Sequence, residues 1–266
     1  MDKKVKNIFK LLGGILAVIA LGVIILVVVL TITEFKPDDV EKISVVAAGS
    51  EIQDVDMDDA DTLENGGRLN VKELSDGDSV RVMTWNTGYA ALGENADFFM
   101  DGGKSVSSSD KETVQENLEA ISEQIEESDP DIVFMQEVDV DSKRSHYINE
   151  LDAITGNLTG YSSSFAENYK TLYVPYPLPT IGKVDCGLAT LSKYEVSDCK
   201  RISLPCPFGY PMRLCNLKRC LMVSRVPIEG SDKDHRFLVH CDCCCGCADL
   251  PSPSSYASRC STDTTA

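Results

Sequence analysis

A chain of 266 residues has room for one large domain or two small ones. Its formal net charge of −17 excludes a nucleic-acid surface built from basic side chains, so approach to any phosphate ester requires a recruited cation. All 11 cysteines fall from Cys186 onward, a split that the redox habits of one compartment do not explain.

The first segment, residues 1–10, is basic and carries Lys3, Lys4, Lys6 and Lys10. Residues 11–33 then contain no charged side chain. As a helix rising about 1.5 Å per residue they reach roughly 34 Å, enough to cross a hydrocarbon core of roughly 30 Å. The basic flank is expected to stay cytoplasmic, giving a single-pass protein of the cell membrane with everything after residue 33 outside. A cleaved signal peptide would need a shorter apolar core and a small-residue cleavage site, which Thr31-Ile32-Thr33-Glu34-Phe35 does not offer. Residues 34–79 read as an acidic linker with one or two short strands, such as residues 43–47. Asp54, Asp56 and Asp58 imitate the start of a calcium loop, but Asp59 and Asn65 stand where that loop needs Gly and Glu. A solvated acidic stretch is the expectation there.

Residues 80–86 form a β-rich apolar run ending in Asn86, read as a buried strand. Ser109 and Glu112 make a capping-box pattern, and Val114, Leu118, Ile121 and Ile125 recur as one apolar stripe of a helix over 111–128. Pro130 ends that helix, and a second apolar run leads to Gln136-Glu137. Two strands joined by a helix, each delivering a polar residue at its C-terminal end, is how α/β enzymes place chemistry. Asp139 and Asp141 are assigned to the outgoing loop, and Lys143, Arg144 and His146 to a solvated loop, the alternative being a loop near the site where Lys143 and Arg144 help position a phosphate. A short helix over 151–158 and strands over 187–192, 217–225 and 237–239 follow. The last of these reaches His240.

Two motifs are rejected. Gly103-Lys104-Ser105 lacks the leading glycine of a P-loop, having Phe98 in its place, and no Gly-x-Ser-x-Gly elbow exists. Beyond His240 periodicity stops. Cys241, Cys243, Cys244, Cys245 and Cys247 lead into a Ser/Pro/Thr-rich end. Cys244 and Cys247 have CxxC spacing, but zinc needs four ligands and no separated second pair is present.

Thr84-Trp85-Asn86, together with Pro130-Asp131-Ile132-Val133 leading into Gln136-Glu137, resembles the endonuclease/exonuclease/phosphatase family. Gly88-Tyr89 and the Asp97-Phe98-Phe99-Met100-Asp101-Gly102-Gly103 segment look like a bacterial, membrane-attached branch of it. The resemblance implies an α/β (α+β) fold: a partial four-layer sandwich of two mixed β-sheets flanked by helices over residues 80–240, preceded by one transmembrane helix. It implies that Glu137 and Asn86 hold a divalent cation, Mg²⁺ or Mn²⁺, and that His240 hydrogen-bonds the substrate phosphate. Ser192-Lys193 is similar to the family's Ser-Lys/Arg pair.

The family's Asp-x-Asn and Ser-Asp-His elements, which position the attacking water, are absent from this sequence. Most of the second sheet is expected from residues after 240. The expectation is therefore a membrane-anchored extracytoplasmic metal-dependent phosphoesterase whose C-terminal half is missing or frameshifted. It should have little or no activity as written, with residues 241–266 as a disordered, non-native tail. The alternative is a non-catalytic extracytoplasmic binding or scaffold protein. Nucleic acid, phospholipid head groups and inositol phosphates all fit the motifs as substrates.

Overall fold

The computed structural model describes residues 3–47, 72–92, 103, 105–107, 110–229 and 234–240, the last of these for the backbone alone. The acidic run from Asp54, the segment from Asp97 to Gly102, Ser109, the side chain of His240 and the cysteines from Cys241 onward lie outside the described residues.

Helix α1 (Lys3–Ile32) is long and apolar enough to cross a membrane. Most of its side chains are exposed, and its C-terminal end packs on the rest of the chain through the buried Leu30.

The first sheet has the order β2-β6-β7-β5-β4. Its members are β2 (Val45–Val46), β4 (Val82–Asn86), β5 (Ile132–Asp139), β6 (Ser162–Val174) and β7 (Gly182–Ser192). Strands β4 and β5 run parallel, as a helical crossover requires, and the other pairs are antiparallel. The continuous apolar run of β5 follows from burial on both faces. Val133 and Met135 point to the helices, while Ile132 and Phe134 point to the second sheet. Strand β4 differs from the buried strand expected of it. It lies at the sheet edge, with Met83 and Trp85 half-buried and Val82, Thr84 and Asn86 exposed. Gly187 allows β7 to lie close to β6, because a Cβ there would sit 2.3 Å from the Ala166 carbonyl oxygen.

Helix α2 (Lys111–Ser128) covers one face of this sheet with its stripe Val114, Leu118, Ile121 and Ile125. Its cap is Asp110, whose side chain accepts a hydrogen bond from the Thr113 amide at 2.7 Å. Asp110 therefore takes the position assigned to Ser109, because it is the residue in extended conformation next to the first turn. Asp129 closes the helix in the left-handed region, and Pro130 blocks its continuation. Helix α3 (Glu150–Asn157) packs Leu151 and Ile154 into the same core.

The second sheet contains β1 (Val40–Lys42), β8 (Asp198–Ser203), β9 (Cys220–Glu229) and β10 (Asp234–His240) in that order, with β3 (Leu74–Ser75) parallel to β9. Most of this sheet was expected after residue 240. Instead, the acidic segment 34–79 supplies β1 and β3, and β8 and β9 carry alternating apolar residues that meet the first sheet. Cys199, Cys220, Met222 and Val226 pack with Ile132, Phe134 and Leu188. The described residues thus form three layers: helices, first sheet and second sheet. The five described cysteines are free, and Cys199 and Cys220 act as small core hydrophobes.

Two buried arginines tie the layers together. Arg201 of β8 is fully buried and donates to the carbonyl oxygens of Glu167 (2.8 Å) and Lys218 (2.9 Å), to Ser203 Oγ (2.6 Å) and to Glu41 Oε2 (3.4 Å). Arg144 forms a bidentate pair with Asp139, at 2.9 and 2.8 Å, and Ser145 Oγ donates to the same carboxylate at 2.9 Å. Asp139 is thus the buried last residue of β5 rather than part of an outgoing loop, and Arg144 is drawn out of solvent by it.

Glu150 lies beside this pair, fully buried, and its Oε2 accepts the Asp139 amide at 3.0 Å. Its Oε1 has no hydrogen-bond partner. Burial, reinforced by the neighbouring Asp139 carboxylate, raises the Glu150 carboxyl well above its ordinary value. The folded protein therefore holds a proton that the unfolded chain releases above pH ~4.3, and stability falls by up to about 1.4 kcal/mol per pH unit from there to the raised folded value. Glu150→Gln should remove this fall. Denaturant titrations at pH 5, 6, 7 and 8 should show wild-type stability declining more steeply than that of the variant. Parallel declines would show that Glu150 is not protonated in the fold.

Candidate metal and phosphate site

The parallel register of β4 and β5 places Asn86 opposite Gln136, so the two strand ends lie side by side. Thr87 locks them there. Its amide donates to the Gln136 carbonyl at 3.0 Å, and its hydroxyl lies 3.0 Å from the same oxygen and 3.3 Å from that of Glu137.

Strand parity alone would send the side chain of Glu137 into the helix-packed core behind Val133 and Met135. A β-bulge prevents this. The β5–β7 register shifts between Met135 and Val138, Glu137 takes φ +58°, and Val138 occupies the next core position. Glu137 is turned instead into a pocket of about 1250 Å³ at the strand ends, where it is 9% exposed. A left-handed backbone at a non-glycine residue costs about 1–2 kcal/mol. The same pocket is lined by Gly88 (φ +56°), Tyr89 (φ +44°) and Ala90 (φ +47°). Three of the six described non-glycine residues in the left-handed region thus line this cavity, the others being Asp129, His146 and Tyr147.

Asn86 also lines this pocket and starts its turn, its Oδ1 accepting the Gly88 amide at 3.0 Å. An amide oxygen has two lone pairs, so this bond leaves capacity for a cation. Asn117 of α2 holds the far end of the turn through the Ala90 carbonyl at 2.8 Å.

Three further residues line the pocket: Tyr89, which the sequence offered only as part of the resemblance, Arg144, for which a solvated loop was expected, and Asn168, which the sequence did not single out. Tyr89 is buried with its ring under the Arg144 guanidinium, 3.9 Å from the ring centre. Burial works against the charge of Arg144, but Asp139 outweighs it and holds the group ionised far above ordinary conditions. Asn168 is buried where the β6–β7 register shifts between Glu167 and Tyr169. The Lys-Arg sequence gave only the sign of the charge, and a bulge inside a polar strand leaves no mark on periodicity. His240 ends β10 with its backbone opposite Leu221.

Among the described residues no group of three or more His, Cys, Asp or Glu side chains is arranged to hold a metal ion by itself. One carboxylate and an amide oxygen do not make a structural zinc site, which needs four protein ligands. They do suit Mg²⁺ or Mn²⁺, hard cations held by one or two carboxylates with water and substrate oxygen completing the shell.

The profile of the Endonuclease/Exonuclease/phosphatase family matches residues 83–257. Members of this family generally use divalent metals. Among solved structures, the chain is similar to an endonuclease/exonuclease/phosphatase from Beutenbergia cavernae DSM 12333, with 20% identity and a TM-score of 0.39 over 60% of this chain. The chain spans 37% of that protein's length. No curated protein matches it.

The bulge makes a prediction of its own. With the carboxylate removed, Glu137→Gly should be more stable than Glu137→Ala by about 1 kcal/mol, because glycine adopts positive φ without a Cβ clash. Thermal unfolding of the two variants decides it. Equal midpoints would show that position 137 is not held in the left-handed region.

Proposed function

Because the chain belongs to the endonuclease/exonuclease/phosphatase family, we propose that it is a membrane-anchored, extracytoplasmic domain that binds a divalent cation and a phosphate ester. The observation that carries this reading is the placement of Asn86 and Glu137 on adjacent strand ends, with the bulge turning Glu137 into a strained pocket. Lys3, Lys4, Lys6 and Lys10 before the apolar helix support a cytoplasmic N-terminus.

Each residue has a stated task. Glu137 supplies the negative charge that holds Mg²⁺ or Mn²⁺, and Asn86 orients the phosphate or adds an oxygen ligand. When bound, the cation would neutralise charge developing on the phosphate oxygens. Arg144, its charge compensated by Asp139, keeps Tyr89 in place beneath it. His240 is assigned to the phosphate on its position at the end of an apolar run.

Hydrolysis also needs an attacking water held in line, which in this family falls to the Asp-x-Asn and Ser-Asp-His elements that the sequence lacks. Metal-dependent binding with slow turnover is therefore the activity proposed for this polypeptide. That same lack favours a second reading, a non-catalytic binding protein using the same pocket.

The test is binding and cleavage of a generic phosphodiester, with Mg²⁺ and after chelation. Binding should require the metal and fall by at least about tenfold in Glu137→Gln, the loss expected when a ligand charge is removed. Slow Mg²⁺-dependent cleavage supports the phosphoesterase, and binding without cleavage supports the second reading. Binding that survives both chelation and Glu137→Gln would overturn the site.

A further inference from the structure

Among the described residues, Arg144 is the only Lys or Arg that lines the Glu137 pocket. It is held there by its neighbours. Nε donates to Asp139 Oδ2 at 2.9 Å and Nη2 to Asp139 Oδ1 at 2.8 Å, so one edge of the guanidinium is committed to the carboxylate. Its flat face rests on the Tyr89 ring, 3.9 Å from the ring centre. Asp139 is fixed in turn. Ser145 Oγ donates to it at 2.9 Å, and its amide donates to Glu150 Oε2 at 3.0 Å. The guanidinium therefore has one position and one orientation.

A guanidinium has five N–H donors, and the pair with Asp139 uses two of them. Nη1 has no hydrogen-bond partner among the described residues. It is not sealed from solvent either. The buried polar atoms that lack a partner include Glu150 Oε1 and Asp185 Oδ1 but not Nη1, and 12% of the Arg144 side chain stays exposed at the cavity. The second edge of the guanidinium thus opens into the pocket.

Asp139 cancels the net charge of the pair, so Arg144 draws no anion from a distance. What remains is a pair of charge-assisted donors with a fixed direction, which suits an anionic oxygen. Only arginine combines these features, because a lysine that pairs with Asp139 has no rigid second edge. The placement follows from the same pieces of backbone that set the two proposed cation ligands. The turn that starts at Asn86 carries Tyr89 beneath the guanidinium, and Asp139 ends the strand that delivers Glu137.

We propose that Arg144 Nη1 binds a non-bridging oxygen of the substrate phosphate while the cation at Glu137 and Asn86 takes another. The proposal rests on the reading of Glu137 and Asn86 as a cation and phosphate site. A single metal contact leaves the phosphate able to rotate about its bond to the cation. A second hold at a fixed angle stops that rotation and orients the ester. Asp139 and Tyr89 are then positioning residues, which act by fixing the guanidinium.

Two variants of the full chain test this in maltoside micelles, with bis(p-nitrophenyl) phosphate as the ligand and Mg²⁺ present. Arg144→Lys keeps a positive charge beside Asp139 but removes the second edge. Asp139→Asn with Arg144→Gln removes both charges together, so no buried charge is left uncompensated. Each should weaken diester binding by at least about tenfold, the loss expected for a hydrogen bond to a charged group. Terbium emission sensitised by Trp85, the sole tryptophan and a pocket residue, should titrate as in wild type. A merely structural role would weaken metal and diester binding together.

Unchanged diester binding in either folded variant overturns the role of Arg144 and leaves the metal site standing. A parallel loss of terbium and diester affinity in both variants overturns it too. A measurement on wild type needs no variant to fold. With ¹⁵N-arginine labelling, the Arg144 guanidinium protons, shifted upfield by the Tyr89 ring, should move when the diester joins Mg²⁺-loaded protein and stay in place with Mg²⁺ alone. Protons that do not move when the diester binds overturn the proposal. Absence of metal-dependent diester binding by wild type overturns the underlying site as well.

Discussion

The register break between Met135 and Val138 decides where Glu137 points, and most of the site follows from it. A regular strand would place a carboxylate against Leu118 and Ile121, where an unpaired charge is prohibitively unfavourable. The bulge removes that conflict by giving the core position to Val138 and turning Glu137 out at the strand end. It is held from both sides. Thr87 bridges to the Gln136 and Glu137 carbonyls from β4, and Asp139 anchors the strand beyond it through Arg144, Ser145 and Glu150. The strain at Glu137 persists because its neighbours leave the backbone no alternative.

Buried charge does two different jobs in this chain. Arg201 satisfies backbone carbonyls from separate segments and reaches Glu41, so it joins the acidic segment before the domain to both sheets. Arg144 is committed to Asp139 and lies against Tyr89, one side of the pocket. Removing either partner of such a pair leaves the other buried and uncompensated, so these arginines specify geometry more than they add stability. The acidic surplus lies elsewhere, mostly in residues 34–79, with a smaller share on the solvated face of α2, where Glu112, Glu116, Glu119 and Glu123 are exposed.

Much of the fold was legible because two periodicities are clean. The 3.6-residue stripe of α2 and the unbroken apolar run of β5 each have one physical reading, and both elements form as expected, with Asn86 opposite Gln136 at the adjacent strand ends. The edge position of β4 was not legible, since Val82 and Met83 look equally apolar whether or not a neighbour covers them. Nor were strands β1 and β3 of the second sheet, which are two or three residues long and hidden in an acidic stretch, although β9 and β10 of that sheet were read as strands. Arg144 read as solvated because its partner Asp139 is recruited by tertiary packing, and Asp110 displaced Ser109 by backbone conformation alone. Bulges at Glu137 and Asn168 change side-chain direction without changing composition.

The central claim is that Glu137 and Asn86 hold a divalent cation beside Trp85, the only tryptophan in the chain. Terbium luminescence tests it directly, because Tb³⁺ occupies oxygen-ligand sites and is sensitised by an indole only at close range. Selective excitation of Trp85 in the full chain should give terbium emission that Mg²⁺ competes away and that Glu137→Gln eliminates. Folded protein with no sensitised emission, or emission that survives Glu137→Gln unchanged, would contradict the account.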